Sequence, residues 1–111
     1  MLRTSIAVAI LSAAAAAGPA GAQDVLAGRA VAARTCSACH GTDGIAKVAE
    51  AANLAGQDAT YLTRQLEAFR AGARVNEQMS VIVKTLTDQQ VADVAAYYNA
   101  VQIEVVKVPG R

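Results

Sequence analysis

The chain has 111 residues, which favours one small domain, because two domains would each be too short to fold alone. Its 10 basic and 9 acidic residues give a net charge of +1, which argues against a nucleic-acid-binding surface and against an acidic disordered tail. Alanine supplies 27 residues, and the aromatic residues are three tyrosines and one phenylalanine, so the side chains alone make a marginal core. We therefore expect something besides side chains to fill the centre of the domain.

Residues 1–22 have the layout of a secretory signal peptide. One cation, Arg3, precedes an apolar stretch that is too short to cross a bilayer comfortably, so an N-terminal membrane anchor is the weaker alternative. Ala20 and Ala22 place small residues where a signal peptidase cleaves, which predicts cleavage after Ala22. We expect a mature domain of residues 23–111 that has no membrane span.

Two helical segments are predicted in the first part of this domain, at about residues 25–35 and 59–71. Asp24 and Asp58 can accept hydrogen bonds from the first free N–H groups of these helices, as N-cap residues do. Gly72 suits the left-handed position that commonly ends a helix. Start and stop signals therefore agree with the two predicted spans.

A third helix, at about residues 88–101, has the clearest start. Thr87 as N-cap and Gln90 three residues later form a capping box. Leu86 and Val91 are spaced as a hydrophobic staple around that cap. The third helix is therefore the one whose first residue the sequence defines best.

Strand patterning is nearly absent, so the predicted fold class is all-α. The C-terminal tail, residues 101–111, alternates apolar and polar side chains at its start, which is a weak signal for an extended segment. Long loops remain at residues 41–57 and 73–86. Loops of that length are unusual in a small domain unless they are functional, and they make sense if they wrap a ligand.

The run Cys-Ser-Ala-Cys-His at residues 36–40 carries the chemistry. Positions i, i+3 and i+4 share one face of a helical turn, so Cys36, Cys39 and His40 can all face one ligand. A C-x-x-C-H run is the attachment signature of haem c, in which the two cysteines form thioethers with the porphyrin and the histidine binds its iron. A covalent haem would also supply the missing core.

Three other roles are open to these residues. A Cys36–Cys39 disulfide closes a very short loop and would constrain the chain little. A thioredoxin-like redox pair is expected in a βαβ context, which the pattern lacks. A zinc ion needs four ligands, whereas the two cysteines and His40 make three. The leader and the adjoining histidine favour haem attachment.

The second axial ligand of the iron is expected to be Met79. No second histidine exists, and Met79 is the only methionine that remains once the leader is removed. It lies between two predicted helices, and a thioether ligand opposite histidine raises the reduction potential of haem iron. Alternatively, Met79 fills a gap in the core, and the iron is five-coordinate and open to small ligands, as in a haem sensor.

With these motifs the chain resembles the class I c-type cytochromes, in particular small bacterial periplasmic cytochromes with one haem. The resemblance covers about residues 24–101 and includes Gly28, eight residues before Cys36. Its other parts are CSACHGTDG at 36–44, NLAGQ at 53–57, YLTRQLEAF at 61–69, the Met79 loop, and LTDQQVADVAAYY at 86–98. The resemblance implies three main helices around one covalent haem, with Gly28 of the first helix packed against Tyr97 or Tyr98 of the last.

The resemblance also implies contacts around the haem. In such proteins a backbone carbonyl in the loop after the motif, commonly that of a proline, accepts a hydrogen bond from the axial histidine. Here the matching segment has no proline, and a carbonyl near Ala52 takes that place. Gln57, Tyr61 and Arg74 resemble positions near the haem propionates, or they are ordinary helix-face and surface residues.

A periplasmic one-electron carrier, not an enzyme, is the function that follows. His40 and Met79 would fill both axial positions, and the partners would be donor and acceptor redox proteins met in short-lived contacts. One alternative is a permanent haem c subunit of a larger dehydrogenase, in which the 101–108 tail could add a strand to the partner. The other is a five-coordinate haem protein, a ligand sensor or a small peroxidase. The missing second histidine argues against peroxidase chemistry.

Overall fold

The N-terminal helical unit runs from Val25 to His40 in the computed structural model, which describes residues 22–111. The unit begins as α1 (Val25–Val31), widens into a π-helical turn (Ala32–Cys36) and resumes as one α-helical turn, α2 (Ser37–His40). The predicted leader lies outside the described residues except for its last alanine, so its cleavage stays a prediction.

Local signals explain where this helical unit begins, and one of them corrects where it ends. The Asp24 carboxylate accepts from the N–H groups of Leu26 and Ala27, which confirms the predicted N-cap. The predicted end near residue 35 is wrong. No glycine or proline lies between Gly28 and Gly41, so the helix continues until Gly41, whose φ of 75° stops it. The motif at residues 36–40 is therefore helical.

The second main helix, α3 (Ala59–Ala71), has the predicted limits. The Asp58 carboxylate caps it by accepting from the N–H of Tyr61 at 2.8 Å. Gly72 ends it in the left-handed conformation, with φ of 75° and ψ of 8°. Its start and stop residues therefore act as the sequence indicates.

A short helix interrupts the second predicted loop. This helix, α4 (Met79–Ile82), continues into a 3-10 turn (Val83–Thr85), so only the first part of residues 73–86 is a loop. The third main helix, α5 (Asp88–Ala100), follows directly. Thr87 and Gln90 form the predicted capping box, with bonds of 3.1 and 2.9 Å between each side chain and the other residue's N–H.

Helices α1 and α5 cross in close contact at Gly28. A Cβ atom built on Gly28 would overlap the Asp93 carbonyl of α5 and would lie 2.8 Å from the Cβ of Tyr97. The Asp93 side chain is itself buried and accepts hydrogen bonds from the Asp24 N–H and from the amide of Gln89, at 2.8 and 2.9 Å. The predicted crossing of the first and last helices is therefore present, and glycine is the residue that permits it.

The all-α fold class is confirmed, since residues 22–111 contain helices, turns and loops but no strand. The core joins α1, the π turn, α3 and α5, and its buried residues are Val31, Ala32, Leu62, Leu86, Val91, Val94, Ala95 and Tyr98. The tail after Ala100 has no regular secondary structure, and Ile103 lies near Gly56. Within the described part of the chain, no helix combines the length and the apolar composition needed to span a bilayer.

Candidate functional site

A cleft of about 1060 Å³ separates the N-terminal helical unit from α3 and α4. This volume is slightly above the usual range of about 300–1,000 Å³ for small-molecule and cofactor sites. Cys36, Cys39 and His40 line the cleft from one helical unit, and Met79 lines it from α4. The apolar lining residues include Leu54, Leu62, Leu66, Phe69, Ile82, Leu86, Val94, Ala95 and Tyr98. The fold thus brings all four candidate site residues to one largely apolar cleft.

The π turn lets one helical unit serve both the core and the cleft. Val31 and Ala32 are buried in the core, whereas Cys36, at the end of the π turn, is only partly buried and lines the cleft. A π turn holds one residue more than an α turn, so it shifts the angular position of every residue that follows. Such turns often mark functional sites.

The two cysteines are free thiols in this structure. Burial raises the pKa of the Cys36 thiol to about 11, although a hydrogen bond with Tyr98 acts in the opposite direction. The nucleophile of a thioredoxin-like pair has a lowered pKa, so this environment disfavours that alternative. Among residues 22–111, no three His, Cys, Asp or Glu side chains are gathered as a metal-ion cluster of the zinc type would need.

His40 is oriented by a backbone carbonyl. Its Nδ1 lies 2.7 Å from the carbonyl oxygen of Ala52, and a carbonyl can only accept, so Nδ1 carries the proton of this hydrogen bond. Nε2 is therefore the ring nitrogen that can bind a metal. The carbonyl near Ala52 that the sequence resemblance implies is in place, and no proline is required for it.

Two tyrosine hydroxyls hold the chain directly after the motif. Tyr98 donates to the Gly41 carbonyl at 2.8 Å and Tyr97 donates to the Thr42 carbonyl at 2.7 Å. Burial raises the pKa of the Tyr98 hydroxyl above its usual range, so it stays a donor at neutral pH. The sequence placed these residues only at the helix crossing, although buried tyrosines generally need a polar partner.

An asparagine side chain holds the turn that precedes Met79. The side-chain oxygen of Asn76 accepts from the N–H groups of Gln78 and Met79 at 3.0 and 2.9 Å, and the Ser80 hydroxyl accepts from the Asn76 N–H at 3.1 Å. Asparagine before a helix is a common start signal, so Asn76 three residues ahead of Met79 was detectable from the sequence. These bonds hold the backbone that carries the partly buried Met79 side chain.

The residues compared with propionate-contacting positions also line the cleft, and they are Gln57, Tyr61 and Arg74. The guanidinium of Arg74 donates to Gln65 at 2.7 Å and lies 4.6 Å from the ring centre of Phe69. These two contacts hold a cation at the cleft wall. A guanidinium held in this way suits a ligand that carries carboxylates.

Residues 25–102 match the family model described as cytochrome c, and the chain belongs to this family. It is 44% identical over 69 residues to cytochrome c-554(548) of Halomonas halodenitrificans. This match covers 60% of this chain and 83% of that protein. It is 47% identical over 75 residues to cytochrome c4 of Thiocapsa roseopersicina. This match covers 68% of this chain and 38% of that protein.

A solved structure of thiosulfate dehydrogenase from Marichromatium purpuratum is similar as well. It has a TM-score of 0.68 and 35% identity, and the match covers 78% of this chain and 21% of that one. The chain therefore spans less than half the length of this enzyme and of the cytochrome c4. Its fold is shared with one part of each.

Covalently bound haem c is the cofactor of this family, and electron transfer is its activity. The side chains of the cleft fit this group chemically. Two free thiols at C-x-x-C spacing, one free imidazole nitrogen and one thioether all face the same apolar cleft. The chain is thus a haem c electron-transfer protein, and its class agrees with the sequence resemblance.

Proposed function

We propose that this chain is a periplasmic one-electron carrier that holds a single haem. Cys36 and Cys39 form the thioethers, and His40 and Met79 are the axial ligands of the iron. The observation that carries this assignment is that the four side chains line one cleft. Two cysteines and one histidine in the whole chain provide for one such group.

Haem c supplies the Fe(III)/Fe(II) couple of one-electron transfer when it is bound. The chain tethers it through two cysteines, and the Ala52 carbonyl keeps the His40 ring in one orientation. The apolar walls of the cleft exclude water, which favours the less charged ferrous state of the iron. A methionine ligand would favour the ferrous state as well. His40 and Met79 would together hold the iron and would leave no position on it for a substrate, which is why we assign a carrier and not an enzyme.

The same proposal includes export. Residues 1–22 act as the cleaved leader, and residues 23–111 form the cytochrome domain in the periplasm. Donor and acceptor redox proteins meet the mature domain in transient contacts. Its nine cations and nine anions give no large net charge, so long-range electrostatic steering is modest.

The test is the visible spectrum of the exported protein, reduced and treated with alkaline pyridine, together with its mass. We expect the spectrum of a thioether-linked haem, a mass that corresponds to residues 23–111 plus one haem, and two thiols that resist alkylation. A colourless product whose two thiols both react would contradict the assignment.

A second candidate is a haem c subunit bound permanently to a larger dehydrogenase. The similarity to part of a thiosulfate dehydrogenase favours it, and so does the tail, in which Val105 and Val106 are 73% and 90% exposed. Purification of the protein from its own host separates the two candidates. A fixed stoichiometric partner would favour the subunit, whereas a free monomer with the same spectrum would favour the carrier.

A further inference from the structure

Asn53 lies next to the residue whose carbonyl orients His40. Its side-chain oxygen accepts a 2.7 Å hydrogen bond from the N–H of Ala46, seven residues earlier. The Ala52 carbonyl accepts from His40 Nδ1 at the same distance. Because this carbonyl belongs to the peptide group that joins Ala52 to Asn53, the anchored side chain of Asn53 limits where it can lie.

The other end of the Asn53 bond is also tied to the haem motif. Lys47, which follows Ala46, donates its N–H to the Cys39 carbonyl at 2.7 Å. Cys39 precedes His40 in the chain, so three hydrogen bonds close a ring that begins and ends at the motif. Apart from His40, Asn53 is the only residue whose side chain belongs to this ring.

The rest of the loop has independent support. The N–H groups of Leu54 and Ala55 both donate to the Gly44 carbonyl, at 2.7 and 3.1 Å. The chain holds two prolines, at positions 19 and 109, so no proline ring restricts this loop. Removal of the Asn53 side chain should therefore leave the loop folded and loosen chiefly the peptide that faces His40.

We propose that Asn53 is a positioning residue for the axial histidine. It holds the Ala52 carbonyl on the His40 ring and thereby fixes the ring orientation and its Nδ1 proton. The proposal rests on the ligation of iron by His40 proposed above. A strong acceptor on Nδ1 makes the imidazole a more basic ligand, which favours ferric iron. Loss of Asn53 should therefore raise the reduction potential.

The test uses the haem-loaded protein and follows the exchange of the His40 Nδ1 proton with solvent by NMR. Asn53→Ala should speed this exchange about five- to tenfold, the factor that corresponds to a hydrogen bond of about 1 kcal/mol. Asn53→Asp keeps an acceptor for Ala46 and should stay within about twofold of the wild type. Asn53→Leu, which keeps the size but not the acceptor, replaces the alanine variant if that variant does not mature.

Asn99→Ala is the matched control. It removes an exposed asparagine that donates to the Gln57 carbonyl at 2.9 Å, outside the ring. This control should change neither the exchange nor the potential, whereas Asn53→Ala should change both. Equal effects of the two variants, or no effect of Asn53→Ala, would overturn the role of Asn53. A wild-type spectrum in which His40 is not bound to iron would instead reject the ligation, and this inference with it.

Discussion

The helix crossing and the two loops that face the cleft are built in different ways. At the crossing, Gly28 lets two backbones touch, and the contact is steric and buried. In the loops, side-chain amides hold the backbone on either side of the cleft, Asn53 near His40 and Asn76 ahead of Met79. The crossing therefore sets how the helices pack, whereas the amides hold the loop backbone beside His40 and ahead of Met79. Variants in the two regions should fail in different ways.

The largest effect is expected when the chain can no longer hold the haem. Cys36→Ala combined with Cys39→Ala removes covalent attachment, and the small alanine-rich core should then leave the chain largely unfolded by circular dichroism. Ser37→Ala, which removes a hydrogen bond to the Ala33 carbonyl, is the control and should keep both haem and fold. A folded, haem-free double variant would show that side chains alone suffice.

Gly28→Val tests the crossing. The new side chain must push α1 from α5, because a Cβ there overlaps the Asp93 carbonyl. We expect a loss of about 3 kcal/mol in the free energy of unfolding, measured by denaturant titration. Ala30→Val adds the same side chain at an exposed position of α1 and should cost less than about 1 kcal/mol. Similar losses in both variants would contradict the conclusion that the crossing of α1 and α5 requires glycine at position 28.

Met79→Ala should spare the fold and open the iron. The reduced variant should bind carbon monoxide without denaturant, and its reduction potential should fall, because the thioether ligand is gone. Lys84→Ala, at an exposed position of the following turn and outside the cleft lining, should behave as the wild type. Carbon monoxide binding by the wild type itself would instead favour the five-coordinate sensor, and an unchanged variant spectrum would reject Met79 as a ligand.

Tyr98→Phe tests the hydrogen bond that connects α5 of the helix crossing to the segment after the attachment motif. It removes one of the two donors to the buried Gly41 carbonyl and leaves the Gly44 N–H, at 3.2 Å, as the other, so it should cost about 1.5 kcal/mol in thermal or denaturant unfolding. The pKa of Tyr98 is raised by burial, so its stabilising effect is present below pH about 10 and is lost as the pH rises further. The variant should therefore lose less stability than the wild type between neutral and alkaline pH. Equal alkaline losses would contradict this role.

Asn76→Ala should have the smallest effect. It removes the acceptor of the Gln78 and Met79 N–H groups in the turn before α4, which should cost about 1 kcal/mol and make Met79 easier to displace. A titration with imidazole, followed in the visible spectrum, should show tighter binding than in the wild type. Thr85→Ala removes a side-chain bond at the far end of the same segment and should leave this titration unchanged.

The parts that could be predicted from the sequence depend on neighbouring residues. Capping by Asp24, Asp58 and Thr87 acts over two or three residues, and the attachment motif spans five. The crossing at Gly28 and the all-α class were predicted as well, the former through a family resemblance. The assignment of the four ligating residues itself stays a prediction until the haem-loaded protein is measured.

The missed features join residues that lie far apart, or depend on their surroundings. The two tyrosine hydroxyls reach carbonyls that lie 55 and 57 residues earlier, which no local pattern reveals. The end of the first helix was missed because the sequence holds no stop signal before Gly41, and α4 was missed because it is only one turn long. The amide bond of Asn53 spans seven residues across an irregular loop.

The tyrosine bonds to Gly41 and Thr42 have a consequence for the order in which the molecule matures. Both donors lie on α5, which is synthesised after every other helix of the domain. The segment that follows the attachment motif therefore gains these two donors only after the last helix of the domain has been synthesised.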